Sequence, residues 1–203
     1  MTNNLLLILS IQDSQKIIIS CEDDLQLITA YSSGNIILNY NNQSYQIDGD
    51  GASTINIFLI TLRKLLKKSL CGDLLLHHSI NFDIGYQSNQ KINDSSFTAF
   101  KYTDQNNDTY WIGQKYELSS YNYTAWIYND DQNNIIFEVT PEYPRCIDQE
   151  NEIEVEDYQN WMKSYKPLLI TIISQETAEQ WLKQAETILE KINKNMEKII
   201  AAR

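Results

Sequence analysis

The stretch 121–140, YNYTAWIYNDDQNNIIFEVT, sets the fold class of this chain. Two runs rich in aromatic and β-branched residues, Tyr121 to Tyr128 and Ile135 to Thr140, flank Asn129-Asp130-Asp131-Gln132-Asn133, a cluster of turn-forming residues. Strand formers on both sides of such a cluster read as a hairpin, and a hairpin makes the sheet antiparallel.

Upstream, Ser79 to Ile84, Ser95 to Tyr102 and Thr109 to Lys115 are further strand-like runs. Downstream, Pro141 and Pro144 end the sheet, because proline cannot donate to a ladder. The acidic stretch Asp148 to Asp157 then leads into a short helix near 155–165, stopped by Lys166-Pro167. Leu168 to Ile173 returns as a β-branched strand. Ser174 is placed to cap a last helix, about Gln175 to Ala201, whose apolar positions Ala178, Trp181, Leu182, Ala185, Ile188, Leu189, Ile192, Met196 and Ile199 keep helical spacing.

The first fifty residues alternate short apolar runs with turn signals. Leu5–Ile11, Lys16–Ser20, Leu25–Tyr31, Ile36–Tyr40 and Ser44–Asp48 read as strands of an antiparallel meander, with turns that include Ser32-Ser33-Gly34-Asn35 and Asn41-Asn42. Beyond Asp48-Gly49-Asp50-Gly51, Ser53 or Thr54 caps one mid-chain helix running to about Leu70. Its apolar face is Ile55, Phe58, Leu59, Leu62, Leu65 and Leu66, and Arg63, Lys64, Lys67 and Lys68 complement its C-terminal dipole. The expectation is an α+β chain of one domain, with largely antiparallel sheets, the mid-chain helix, the short helix near 155–165 and a long C-terminal amphipathic helix packed on the sheet.

The chain has 203 residues, of which 42% are hydrophobic and 21% charged, and its 27 acids against 16 bases give a net charge of −11. Phosphate backbones and anionic membrane surfaces repel such a chain, so neither nucleic acid nor a membrane is expected as partner, whereas a basic protein is. Cys21, Cys71 and Cys146 are widely spaced and form no CxxC, which reads as reduced thiols of a cytoplasmic protein. The apolar run Leu5–Leu9 lacks the basic flank and cleavage site of a signal peptide.

Signatures of chemistry are few. His77 and His78 are adjacent and on a strand would point to opposite faces, so no metal site is expected. The Asp48–Gly51 loop lacks the remaining ligands of an EF-hand and any Gly-Lys-Ser/Thr, and no cofactor is expected. Two surface candidates stand out. In the hairpin, Tyr121 and Tyr123 share one face of their strand, and Trp126 and Tyr128 share the other. In the acidic run, Asp148, Glu150, Glu152, Glu154, Glu156 and Asp157 contain no base among them, and alternate glutamates of an extended segment would project the same way. The leading expectation is a small, non-catalytic interaction protein of immunity or adaptor type, binding a basic protein through these ten residues. The alternatives are a hydrolase-like enzyme with a site built from dispersed carboxylates, histidine and tyrosines, and a structural protein that self-associates through its last helix.

Overall fold

Asn41 and Asn42 adopt φ values of 50° and 60°. Two successive left-handed residues make the tight connection that a right-twisted hairpin needs, and asparagine tolerates them. This turn joins β3 (Gly34–Tyr40) to β4 (Gln43–Asp48), the last two strands of a meander that begins with β1 (Asn4–Gln12) and β2 (Gln15–Cys21). The computed structural model describes residues 4–12, 14–48, 54–77, 80, 83–90, 101–103, 109–111, 115–144 and 151–202.

The meander is a four-stranded antiparallel sheet in the order β1-β2-β3-β4. Its alternation is that of a sheet with one buried face: Leu7, Leu9, Ile17, Ile19, Ile36, Leu38 and Ile47 point inward. Leu25–Tyr31, expected as a strand, is instead a succession of turns. Asp24 accepts from the Leu27 amide at 2.8 Å, and the Thr29 carbonyl accepts from the Ser32 amide at 3.2 Å. Its apolar residues do not alternate between a buried and a wet face. Ile28 is buried while Leu27 and Tyr31 are exposed.

α1 (Thr54–Leu70) follows, then the short α2 (Ile84–Gln90). The Ser79–Ile84 strand expectation does not hold among the described residues: Ile84 opens α2, and Asp83 caps that helix by accepting the Tyr86 amide at 2.7 Å. β5 (Lys101–Thr103) and β6 (Thr109–Trp111) form a two-stranded ribbon. The second four-stranded sheet, order β10-β9-β8-β7, comprises β7 (Glu117–Ser120), β8 (Tyr123–Asn129), β9 (Ile135–Pro141) and β10 (Leu169–Ile173). β8 and β9 are the expected hairpin, with Trp126 opposite Glu138 and Thr124 opposite Thr140. These four strands pair antiparallel, and Asn129 at the end of β8 makes one further, parallel bridge to Leu75.

α3 (Glu152–Ser164) starts three residues earlier than expected, because Asn151 caps it by accepting the Ile153 amide, and Glu152 and Glu154 suit its positive end. α4 (Gln175–Ala201) has the expected limits and the expected Ser174 cap. α1 touches β3 of one sheet and β7 and β8 of the other, and it packs along α4. α4 in turn bonds from Trp181 Nε1 to the Ser10 carbonyl of β1 at 2.9 Å, and sets the same indole edge-on to Phe137 of β9 at 5.8 Å. The two long helices are therefore clamped between the inner faces of the two sheets, where the core lies. No helix among the described residues is long and apolar enough to cross a membrane.

Candidate functional site

The outer face of the second sheet carries a buried polar row, Trp126, Tyr128, Glu138 and Thr140, in which the carboxyl group is the residue that sheets usually keep out. Register explains it, since the Trp126–Glu138 and Thr124–Thr140 pairs share the face opposite to the one that α4 covers. Trp126 and Tyr128, expected at an interaction surface, are thus interior residues; α2 lies against this face, and α3 packs on α2. Tyr121 precedes β8 and is exposed, and Tyr123 is half-buried with its ring edge-on to Tyr45 of β4 at 5.3 Å.

Glu138 is wholly enclosed, at 0% exposure. Its Oε1 accepts the Gly85 amide at 3.1 Å and its Oε2 accepts the Tyr128 hydroxyl at 2.8 Å. Burial, with the Asp83 carboxylate beside it, raises its pKa to about 8, partly offset by the Tyr128 and Gly85 bonds. Asp83 Oδ1 also accepts the Tyr165 hydroxyl at 3.2 Å, and Trp126 Nε1 donates to Thr140 Oγ1 at 3.1 Å. Burial and the two carboxylates push the Tyr128 and Tyr165 hydroxyls up. A second carboxyl pair lies at the far end of this sheet: Glu142 accepts from Ser120 Oγ at 2.6 Å and from Thr124 Oγ1, and burial followed by Glu142 raises the pKa of Glu117.

Asn89 ties α2 to the elements around it. Its Nδ2 donates to the Gly85 and Pro141 carbonyls at 2.9 and 3.0 Å, its Oδ1 accepts the Tyr143 amide at 3.1 Å, and its carbonyl accepts the Tyr158 hydroxyl of α3 at 2.5 Å. Tyr158 thereby anchors α3, and an aromatic row runs beside it. Tyr143 stands edge-on to Tyr158 at 5.2 Å and to Trp161 at 5.4 Å; Trp161 meets Tyr165 at 5.6 Å, and Tyr165 meets Tyr86 at 5.5 Å. Tyr143, Trp161 and Tyr165 are half-buried and Tyr86 is exposed.

α3 redistributes the acidic run. At helical spacing Glu154, Asp157 and Trp161 follow one another along one flank, whereas Glu152 and Glu156 lie on the outer side. The extended projection of alternate glutamates is therefore replaced by two acidic flanks around Ile153, which is 73% exposed. Asp148 and Glu150 lie outside the described residues. The basic end of α1 does not answer these acids through Lys67, whose Nζ pairs with Glu186 of α4 at 2.7 Å.

The sequence reading missed Tyr86, Trp161 and Tyr165 as surface aromatics. Tyr158, Trp161 and Tyr165, at i, i+3 and i+7, carried a signal that could have found two of them. Among the described residues, no three His, Cys, Asp or Glu side chains are arranged to hold a metal ion. A pocket of about 220 Å³ opens elsewhere, between Ser69, Asn133, Asn134, Ile172, Ser174 and Gln175, and no ionisable side chain lines it.

Neither a protein-family model, a curated protein nor a solved structure matches this chain.

Proposed function

We propose that the chain is a non-catalytic cytoplasmic interaction protein that binds a basic protein partner through α3 and the aromatic row beside it. One observation carries this reading: exposed acids and half-exposed aromatics meet on one short helix that is itself tied down by Tyr158. Tyrosine and tryptophan give contact area with little entropy to lose, and the carboxylates around them would steer a basic partner and exclude an acidic one.

The test is capture from source lysate on immobilised protein at low and high salt. Basic proteins held at low salt should be released as ionic strength rises. Glu152→Gln with Glu156→Gln and Asp157→Asn should reduce their capture on the order of tenfold, as expected for removing steering charge, and Trp161→Ala should reduce it further. Capture unchanged in both variants would sink the proposal.

A hydrolase-like reading draws on the Glu138–Asp83 pair, where a carboxyl with a raised pKa sits beside a second carboxyl group. Against it stands the enclosure of Glu138 at 0% exposure, with its oxygens occupied by Gly85 and Tyr128. Loss of a measured hydrolytic activity in Glu138→Gln, with the fold intact, would favour this second reading.

A further inference from the structure

β10 is the outermost strand of the second sheet, and among the described residues no strand pairs with its outer edge. At the other end of the sheet, β4 packs against β7 and β8. Edge strands are usually protected by charge, by bulges or by a covering element. β10 is Leu169-Ile170-Thr171-Ile172-Ile173: it has no charged residue, and its register with β9 is unbroken. Ile170 and Ile172 share one face and are 45% and 56% exposed, beyond the reach of α2.

The strand is complementary to itself. If two copies pair antiparallel about Thr171, Leu169 stands opposite Ile173 of the second copy and Ile170 opposite Ile172, which gathers four exposed isoleucines into one cluster. The same register brings Lys166, just before the strand, towards Glu176 of the second copy at the start of α4. Twofold symmetry makes that contact twice. Both side chains are exposed. Lys166 and Glu176 lie just outside the two ends of β10, so this charge pair adds to the match of the isoleucines.

We infer that the β10 edge is a self-association surface, on which a second copy of this chain pairs antiparallel about Thr171 and joins the two four-stranded sheets into one. The surface is separate from α3, so it does not depend on the binding role proposed above.

Sedimentation equilibrium of the full chain over a range of concentrations tests this. The expected result is a rise towards twice the monomer mass, lost in Ile170→Lys/Ile172→Lys, with circular dichroism showing that this variant remains folded. Lys166→Glu should raise the dimer Kd on the order of tenfold, the size of two lost exposed pairs. Lys166→Glu/Glu176→Lys should restore it, which a merely destabilised variant would not do. A chain that stays monomeric throughout, a dimer indifferent to the isoleucines, or a charge exchange without rescue overturns the inference. So does a dimer abolished by truncation after Ile192, because that places the seam on α4.

Discussion

A carboxyl group with no exposed surface and a second carboxylate beside it keeps its proton to a pH at which ordinary glutamates have lost theirs, and Glu138 does so up to about 8. In the unfolded chain the same group titrates near 4.3. Between these values the folded state holds a proton that the unfolded state has released, so this group's contribution to stability falls as pH rises from about 4.3 to about 8 and is level above and below, with a slope of at most ~1.4 kcal/mol per pH unit. Glu138→Gln removes the titration while keeping an acceptor for the Gly85 amide. Denaturant midpoints at pH 5 and pH 8 should therefore fall more in the native chain than in the variant, and parallel changes would show that Glu138 does not titrate in this window. Gly85 is bound to the same place for a steric reason. A Cβ there would overlap the Thr140 side chain. Gly85→Ala should cost about 2 kcal/mol, the usual size of overpacking, because the Thr140 methyl, Cβ and Oγ1 all stand in the way of the added atom. An unfolding midpoint within error of the native one would refute this.

Among the elements, α4 shows how one buried polar residue can pin a turn-rich segment. Asn195 Nδ2 donates to the Gln26 and Ile28 carbonyls at 3.0 and 2.8 Å, in a segment without a ladder of its own. Asn195→Ala leaves two carbonyls without that donor and should cost about 1–3 kcal/mol. Amide exchange should accelerate across Leu25–Ser32 more than in β1–β3; uniform acceleration would mean that the segment is held otherwise. This segment also marks the limit of what sequence discloses. α4 and α1 were legible because each buries a long stripe at helical period, and the β8–β9 hairpin because two strand-forming runs flank a cluster of turn residues, although both strands are buried on both faces. Leu25–Tyr31 has the composition of a strand, but it buries Ile28 and exposes Leu27 and Tyr31. α2 is too short to show a period, and its start rests on the Asp83 cap. The acidic run was legible as composition and not as shape, since the Asn151 cap draws its last residues into α3. Trp126 and Tyr128 were misplaced because alternation tells which residues share a face, while only the tertiary fold tells that this one is buried, with α2 against it.

At the scale of the whole molecule, the amphipathic stripe of α4 is taken up by α1 and the chain's own sheets as far as Met196, and only its end remains outside, with Ile199 and Ile200 exposed. That weakens the case for α4 as an association seam and leaves β10 as an unprotected edge among the described residues, unbroken by the register shifts that interrupt the β1 edge. The net charge of −11 acts on every surface at once. Self-repulsion of an acidic chain opposes its compaction, and salt screens it over about 10 Å at 0.1 M. Stability and association should therefore respond to salt in opposite directions. Raising sodium chloride from low to physiological strength should raise the Tm of the isolated chain by a few degrees, which corresponds to ~1 kcal/mol in a chain of this size. The same change should weaken capture of a basic partner by α3. A thermal scan and a binding measurement on one salt series decide it. A Tm that falls with salt would mean that attractive pairs such as Lys67–Glu186 outweigh the repulsion. Binding that strengthens with salt would mean that the α3 surface works through its aromatic row rather than through its carboxylates.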